Sequence, residues 1–145
     1  MKANANPKSA LTLTKLQKYF IQEKCPFYYI GDFVLLDENC LEVYEPNHKR
    51  NSLDQFPNNL GFKGQLEVNS EVLLPYFISK IIICDITHLN FSAIRISYNS
   101  FIFLTESERL QELDLDEITV TSKNGEIVPY EDLLNHVPFL RHLKL

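Results

Sequence analysis

The sequence has no tryptophan, one methionine, four glycines and four alanines. So little alanine argues against long helical bundles, while ten phenylalanines and seven tyrosines suit sheets. Gly31, Gly61, Gly64 and Gly125 are too few to write a glycine-rich phosphate loop, which excludes the common nucleotide-binding signatures. There is no dense Lys/Arg stripe, and the net charge is −5. A nucleic-acid partner and a membrane surface are therefore not expected, because both attractions come mainly from clustered cations. Apolar residues cluster at Tyr76–Ile78 and Ile81–Cys84, broken by Ser79 and Lys80. Nothing approaches the roughly 18 apolar residues of a membrane-spanning helix. The first ten residues hold no signal-peptide core. The expected location is thus cytoplasmic or nuclear, with Cys25, Cys40 and Cys84 reduced.

What is present fits one globular domain. The chain has 145 residues, 45% of them hydrophobic and 23% charged, within the usual range of a single soluble unit. Charge is uneven: residues 1–100 carry ten basic and ten acidic side chains, and residues 101–145 carry four and nine. The expected organisation is a disordered tail over 1–10, an N-terminal helix and strands over 11–65, and a repeat region over 66–145. In the first part, Leu13, Leu16, Phe20 and Ile21 mark a short amphipathic helix stopped by Pro26. Strands are expected within Phe27–Val43, with a turn at Asp37-Glu38-Asn39, and a loop over residues 46–59.

The repeat region rests on a recurring apolar frame. Ile78-x-x-Ile81-x-Ile83-x-x-Ile86 is matched by Leu110-x-x-Leu113-x-Leu115-x-x-Ile118, and again by Leu140-x-x-Leu143-x-Leu145. The frames start 32 and 30 residues apart. Each follows a short helix candidate, opened by Ser70, Ser100 or Pro129. Alternate residues of a strand share a face, so Ile81/Ile83, Leu113/Leu115 and Leu143/Leu145 are expected to point into a core. Stacked units with parallel strands Lys80–Cys84, Gln111–Leu115 and Arg141–Leu145 would bury those faces together. Asn124-Gly125 predicts a type I′ turn closing a hairpin over Thr119–Val128, and Ala93–Tyr98 looks like its equivalent in the preceding unit. The fold class is therefore α/β, a short leucine-rich-repeat-like helix–strand stack behind an N-terminal helix plus strand-rich segment.

The frame L-x-x-L-x-L looks like leucine-rich repeats. The runs LLPYFISKIIICDITHLNFS, ISYNSFIFLTESERLQELDLDEITV and NGEIVPYEDLLNHVPFLRHLKL resemble the repeat region of nematode F-box-associated proteins, over roughly residues 66–145. That resemblance implies a protein-interaction module that selects substrates for a ubiquitin ligase. Residues 1–65 contain no Leu-Pro opening of an F-box. A truncated paralogue without activity and a small cysteine hydrolase are the alternatives.

Candidate sites are few. Cys84-x-x-x-His88 with Cys25 and Cys40 supplies zinc-type donors, but the ligands do not come in the close pairs of structural zinc sites. Cys84, His88 and Asp85 are the residue types of a cysteine nucleophile, with nothing to lower the thiol pKa. No catalytic residue, metal or cofactor is assigned. His136 and His142 do not share a helix face and read as solvated. Asn90-Phe91-Ser92 fits the glycosylation sequon. The acidic run Glu106, Glu108, Glu112, Asp114, Asp116 and Glu117 is the strongest feature. Asp114 and Asp116 alternate with Leu113 and Leu115, so they should face outward. The partner-binding residues expected are Glu112, Asp114, Asp116, Glu117, His142 and Lys144, with an unidentified protein as partner. The last strand ends in Leu145 with only Arg141, His142 and Lys144 as gatekeepers. Self-association through that C-terminal edge is expected.

Overall fold

The computed structural model describes residues 27–38, 40–45 and 48–145. The expected N-terminal tail and helix, and Cys25, lie outside these residues. The described chain runs β1 (Tyr28–Tyr29), β2 (Phe33–Asp37), β3 (Cys40–Glu45), β4 (Lys49–Asn51), a 3-10 turn (Leu53–Gln55) and β5 (Leu60–Val68). It continues through α1 (Leu73–Lys80), β6 (Ile81–Ser92), β7 (Arg95–Ser97), α2 (Tyr98–Thr105), β8 (Glu112–Asp116), β9 (Thr119–Thr121), α3 (Tyr130–Leu134) and β10 (His142–Lys144). The fold is α/β, a helix–strand stack as the apolar frames suggested.

One sheet holds most of the strands, in the order β10-β8-β6-β5-β2-β3-β4, with β1 also on β5. Strands β2, β5, β6, β8 and β10 are parallel to their neighbours along this path, and β2–β3 and β3–β4 are antiparallel. The β2–β3 hairpin turns where Asp37-Glu38-Asn39 predicted it. Strand β5 spans the expected boundary at residue 65 and joins the hairpin to the repeats. The segment expected as loop over 46–59 contributes β4 as well. Gly64, at φ +118°, lets the link before β2 pass close over β5: a Cβ there would stand 2.3 Å from the Asp32 carbonyl oxygen.

Helices α1, α2 and α3 each precede a parallel strand. Ser70 Oγ accepts from Leu73 N–H at 3.1 Å, and Ser97 Oγ accepts from Ser100 N–H at 3.1 Å. The cap of α2 is thus Ser97, three residues before the serine expected to open it, and Ser100 is the residue it caps. Leu74, Phe77, Phe101, Leu104 and Leu133 bury against Leu66, Leu89, Phe91, Leu113 and Leu115 of the sheet. Leu113 and Leu115 are core, at 2% and 1% exposure.

The register corrects the repeat. Leu113 pairs with Leu89, and Leu115 with Phe91. The unit matching Leu110-Leu113-Leu115-Ile118 is therefore Ile86-Leu89-Phe91-Ile94, 24 residues earlier, and not Ile78-Ile81-Ile83-Ile86. Leu66 and Val68 pair with Leu89 and Phe91 in turn. The expected neighbour of β8, Lys80–Cys84, is instead paired to the first half of β5. Ile86 belongs to both frames, which is why the sequence fits either.

Strand β6 also carries two one-residue bulges, at Ile82 and Thr87, where its pairing with β5 shifts. The bulge at Ile82 turns Ile81 and Ile83 to opposite faces. Ile81 joins the main core and Ile83 packs with Phe27 on the other side. Both are buried, but they do not point one way as expected. Leu143 and Leu145 are 41% and 63% exposed, not core; among the described residues β10 pairs with β8 alone.

Strands β7 and β9 form a second, parallel pair, with Ile96 opposite Val120. This equivalence matches the sequence reading of the two excursions. The hairpin after β9 is closed by Ser122 N–H donating to Glu126 O at 2.8 Å and Gly125 N–H donating to Ser122 O at 3.0 Å. Gly125 has φ +81° while Asn124 has no positive φ. The turn is therefore not type I′, which needs both residues left-handed.

Candidate interaction face

Among the described residues the helices pack on one face of the sheet, and the other face carries only the small Phe27–Ile83 cluster at one end. Alternation along each strand assigns the free face. Where Val34, Leu36, Leu66, Val68, Leu89, Phe91, Leu113 and Leu115 face the core, the residues between them face outward. Cross-strand register lines these up in two rows. One runs Arg50, Glu42, Leu35, Glu67, Asn90, Asp114, Lys144. The other runs Phe33, Gln65, His88, Glu112, His142.

At the end built by β6, β8 and β10 these rows enclose a groove of about 300 Å³. Its side chains are Gln65, His88, Asn90, Glu112, Asp114, His142 and Lys144. Glu112, Asp114, His142 and Lys144 are thus brought together. Asp116 sits one row beyond, opposite Ser92, and is exposed. Glu117 leaves the strand altogether, in a left-handed turn at φ 52°. The groove also recruits His88, Asn90 and Gln65, which the acidic run did not indicate. The signal for them was the Leu89/Phe91 alternation that places His88 and Asn90 outward.

The bulge at Thr87 is what puts His88 there. Residues four apart in a regular strand share a face, but the extra residue puts Cys84 on the core side and His88 on the free side. The Cys84/His88 pairing weighed for zinc or for nucleophilic chemistry is therefore not assembled. Asp85, 3% exposed, is engaged elsewhere: Ser107 Oγ donates to it at 2.9 Å and Arg109 Nη1 at 3.4 Å. These bonds clamp the α2–β8 loop over β6 and fix where β8 begins. Among the described residues, no three His, Cys, Asp or Glu converge to hold a metal ion.

Within the groove, Lys144 Nζ donates to Asp114 Oδ2 at 3.1 Å. That bond and the Asp114 charge hold the Lys144 ammonium above the usual lysine range. Asp114 Oδ1 is buried and has no hydrogen-bond partner among the described residues. His88 Nε2 lies 3.5 Å from Glu112 Oε1, and Thr87 Oγ1 lies 2.8 Å from His88 Nδ1. Thr87 Oγ1 also lies 3.3 Å from the Gly64 carbonyl oxygen, to which its one hydroxyl proton donates.

The opposite end of the same rows is aromatic and ion-paired. Phe33 and Tyr44 meet edge to face at 5.0 Å, and Tyr44 stacks on His48 at 5.0 Å. Glu42 lies 3.2 Å from His48 Nε2 and 3.5 Å from Arg50 Nε. Hydrogen bonds from His48 and Tyr44, and the Arg50 charge, hold the Glu42 carboxyl below the usual range. His136 and His142 are exposed, His136 with its Nε2 against the Tyr98 hydroxyl. The glycosylation sequon lies inside β6, with Asn90 in the groove and Phe91 in the core. Among the described residues no helix is long and apolar enough to cross a membrane.

Comparison of the chain with protein-family models, with curated proteins and with solved structures finds no match.

Proposed function

We propose that the protein is a protein-interaction module whose binding surface is the free sheet face, centred on the groove of β6, β8 and β10. The observation that supports this reading most is the register. It stacks polar side chains from three successive parallel strands into one concave patch, the geometry by which repeat stacks take partners. The resemblance of residues 66–145 to the repeat region of nematode F-box-associated proteins favours substrate recruitment to a ubiquitin ligase as the setting. The cytoplasm or nucleus would be the location, with no nucleic-acid, membrane or cofactor requirement. An F-box elsewhere in the full transcript would support that setting. Panning a random-peptide display library against the wild type and an Asn90→Trp variant, which fills the groove, tests the surface. Peptides that bind the wild type and lose the variant are the expected outcome. Binders indifferent to Asn90→Trp would move the surface elsewhere.

We further propose that the open edge of β10 allows a second copy to pair there at high concentration. Its exposed Leu143 and Leu145 favour contact, and Arg141, His142 and Lys144 oppose it.

A further inference from the structure

Asp114 is an incompletely satisfied carboxylate. Oδ2 carries the Lys144 ammonium, while Oδ1 is buried and has no donor among the described residues. A buried acceptor left unmade costs free energy. The Lys144 side chain that reaches Asp114 is 72% exposed. It is anchored at the edge strand and drapes its cation over the carboxylate from solvent, as a tethered stand-in for an external one. Glu112, in the neighbouring row, has a half-exposed side chain and only the long His88 contact at 3.5 Å. The two rows hold Glu42, Glu67, Glu112 and Asp114 against Arg50 and Lys144. Both of those cations are already committed, to Glu42 and Asp114. Within these two rows the uncommitted charge is therefore negative.

We propose that the groove receives a cationic side chain, an arginine by preference, from an extended segment of the partner protein. Its guanidinium donates to Glu112 and takes the place of the Lys144 ammonium at Asp114 Oδ2. Arginine suits this better than lysine because its planar fork can address two acceptors at once, and charge-assisted bonds of that kind are the stronger ones. A divalent metal is the weaker occupant. His88, Glu112 and His142 share one row and Asp114 lies in the next, but among the described residues no three such side chains converge to hold a metal ion. An acidic segment would meet Glu67, Glu112 and Asp114 with like charge. The inference rests on the free face being the binding surface, and it adds the chemistry of the ligand.

The test uses the peptides that depend on the groove, those selected by the wild-type chain and lost with Asn90→Trp. Their expected composition is enriched in arginine. Asp114→Asn should weaken their binding about tenfold, the scale of one lost charge-assisted bond. Asp116→Asn, which changes the same charge one row away, should leave it within about twofold of wild type. Lys144→Gln removes the competing ammonium and should tighten binding, whereas a merely structural Lys144 would weaken it when replaced. Groove-dependent peptides with no arginine or lysine enrichment overturn the cation assignment and leave the surface standing. The same holds for equal losses at Asp114 and Asp116. Binding that requires added zinc and is abolished by a chelator overturns it in favour of a metal. If no groove-dependent peptide is selected, the surface itself fails, and this inference with it.

Discussion

Ala93 and Glu117 share one left-handed backbone conformation, φ 52° at each, 24 residues apart and directly after β6 and β8. The two turns are stacked: Ala93 N–H donates to the Asp116 carbonyl at 2.9 Å, and Thr119 N–H to the Ile94 carbonyl at 3.1 Å. The equivalence fixes the true period of the first two units. It also explains how the chain leaves the main sheet each time to form β7 and β9.

Neither residue is glycine, so each turn is strained. Left-handed geometry costs an L-residue about 1–2 kcal/mol, and glycine's extra unfolded-state freedom takes back roughly 0.5–1 kcal/mol. Ala93→Gly and Glu117→Gly should each stabilise the fold by up to about 1 kcal/mol, read as a higher denaturation midpoint. A fall in midpoint for both would contradict the stacked turns.

Leu113 and Leu143 occupy the same place in their frames and pair directly with each other. Only Leu113 is covered. Leu113→Ala should cost about 2–5 kcal/mol, as for a packed leucine site, while Leu143→Ala should stay within about 0.5 kcal/mol of wild type. Equal effects at the two positions would mean that β10 is not an open edge.

The Glu42 carboxyl has a depressed pKa, so its contribution is present above the pKa it has when unfolded and is lost as pH falls through the lower folded value. Glu42→Gln should then destabilise the protein at neutral pH and make no difference once the wild-type carboxyl is protonated. A side-chain NMR titration checks the direction. A Glu42 midpoint at or above that of an ordinary glutamate would count against the His48–Glu42–Arg50 cluster.

Arg141 and Lys144 guard the β10 edge by charge. Self-association through it should therefore strengthen with added salt, which screens their repulsion. Sedimentation at rising protein concentration, in low and high salt, should show this. A monomer under all of these conditions would contradict pairing through the β10 edge.

Much of this architecture was legible in the sequence because hydrophobic alternation survives locally. Leu113/Leu115 with Asp114 between them named a strand, its core face and its free face. What failed was register. A bulge adds a residue without altering composition, so nothing at Ile82 or Thr87 announced that β6 would change phase twice. The frame at Ile78–Ile86 therefore looked equivalent to Leu110–Ile118, and His88 was grouped with Cys84 instead of Glu112. Exposure at the edge was hidden for another reason. Leu143 carries the same pattern as Leu113, and they differ in that β8 lies between two strands while β10, among the described residues, pairs with one. The groove was half visible: residues 112 and 114 lay in an acidic run, while residues 65, 88 and 90 reach it only through long-range pairing.

The claim that matters most is that the free face of β6, β8 and β10 binds protein. Amide-shift mapping of the isotopically labelled chain, titrated with the tightest peptide selected by panning, measures it directly. Saturable shifts concentrated at residues 88–90, 112–114 and 142–144 are the result predicted. Shifts concentrated on α1 and α2, or on β7 and β9, with those three stretches unmoved, would contradict it.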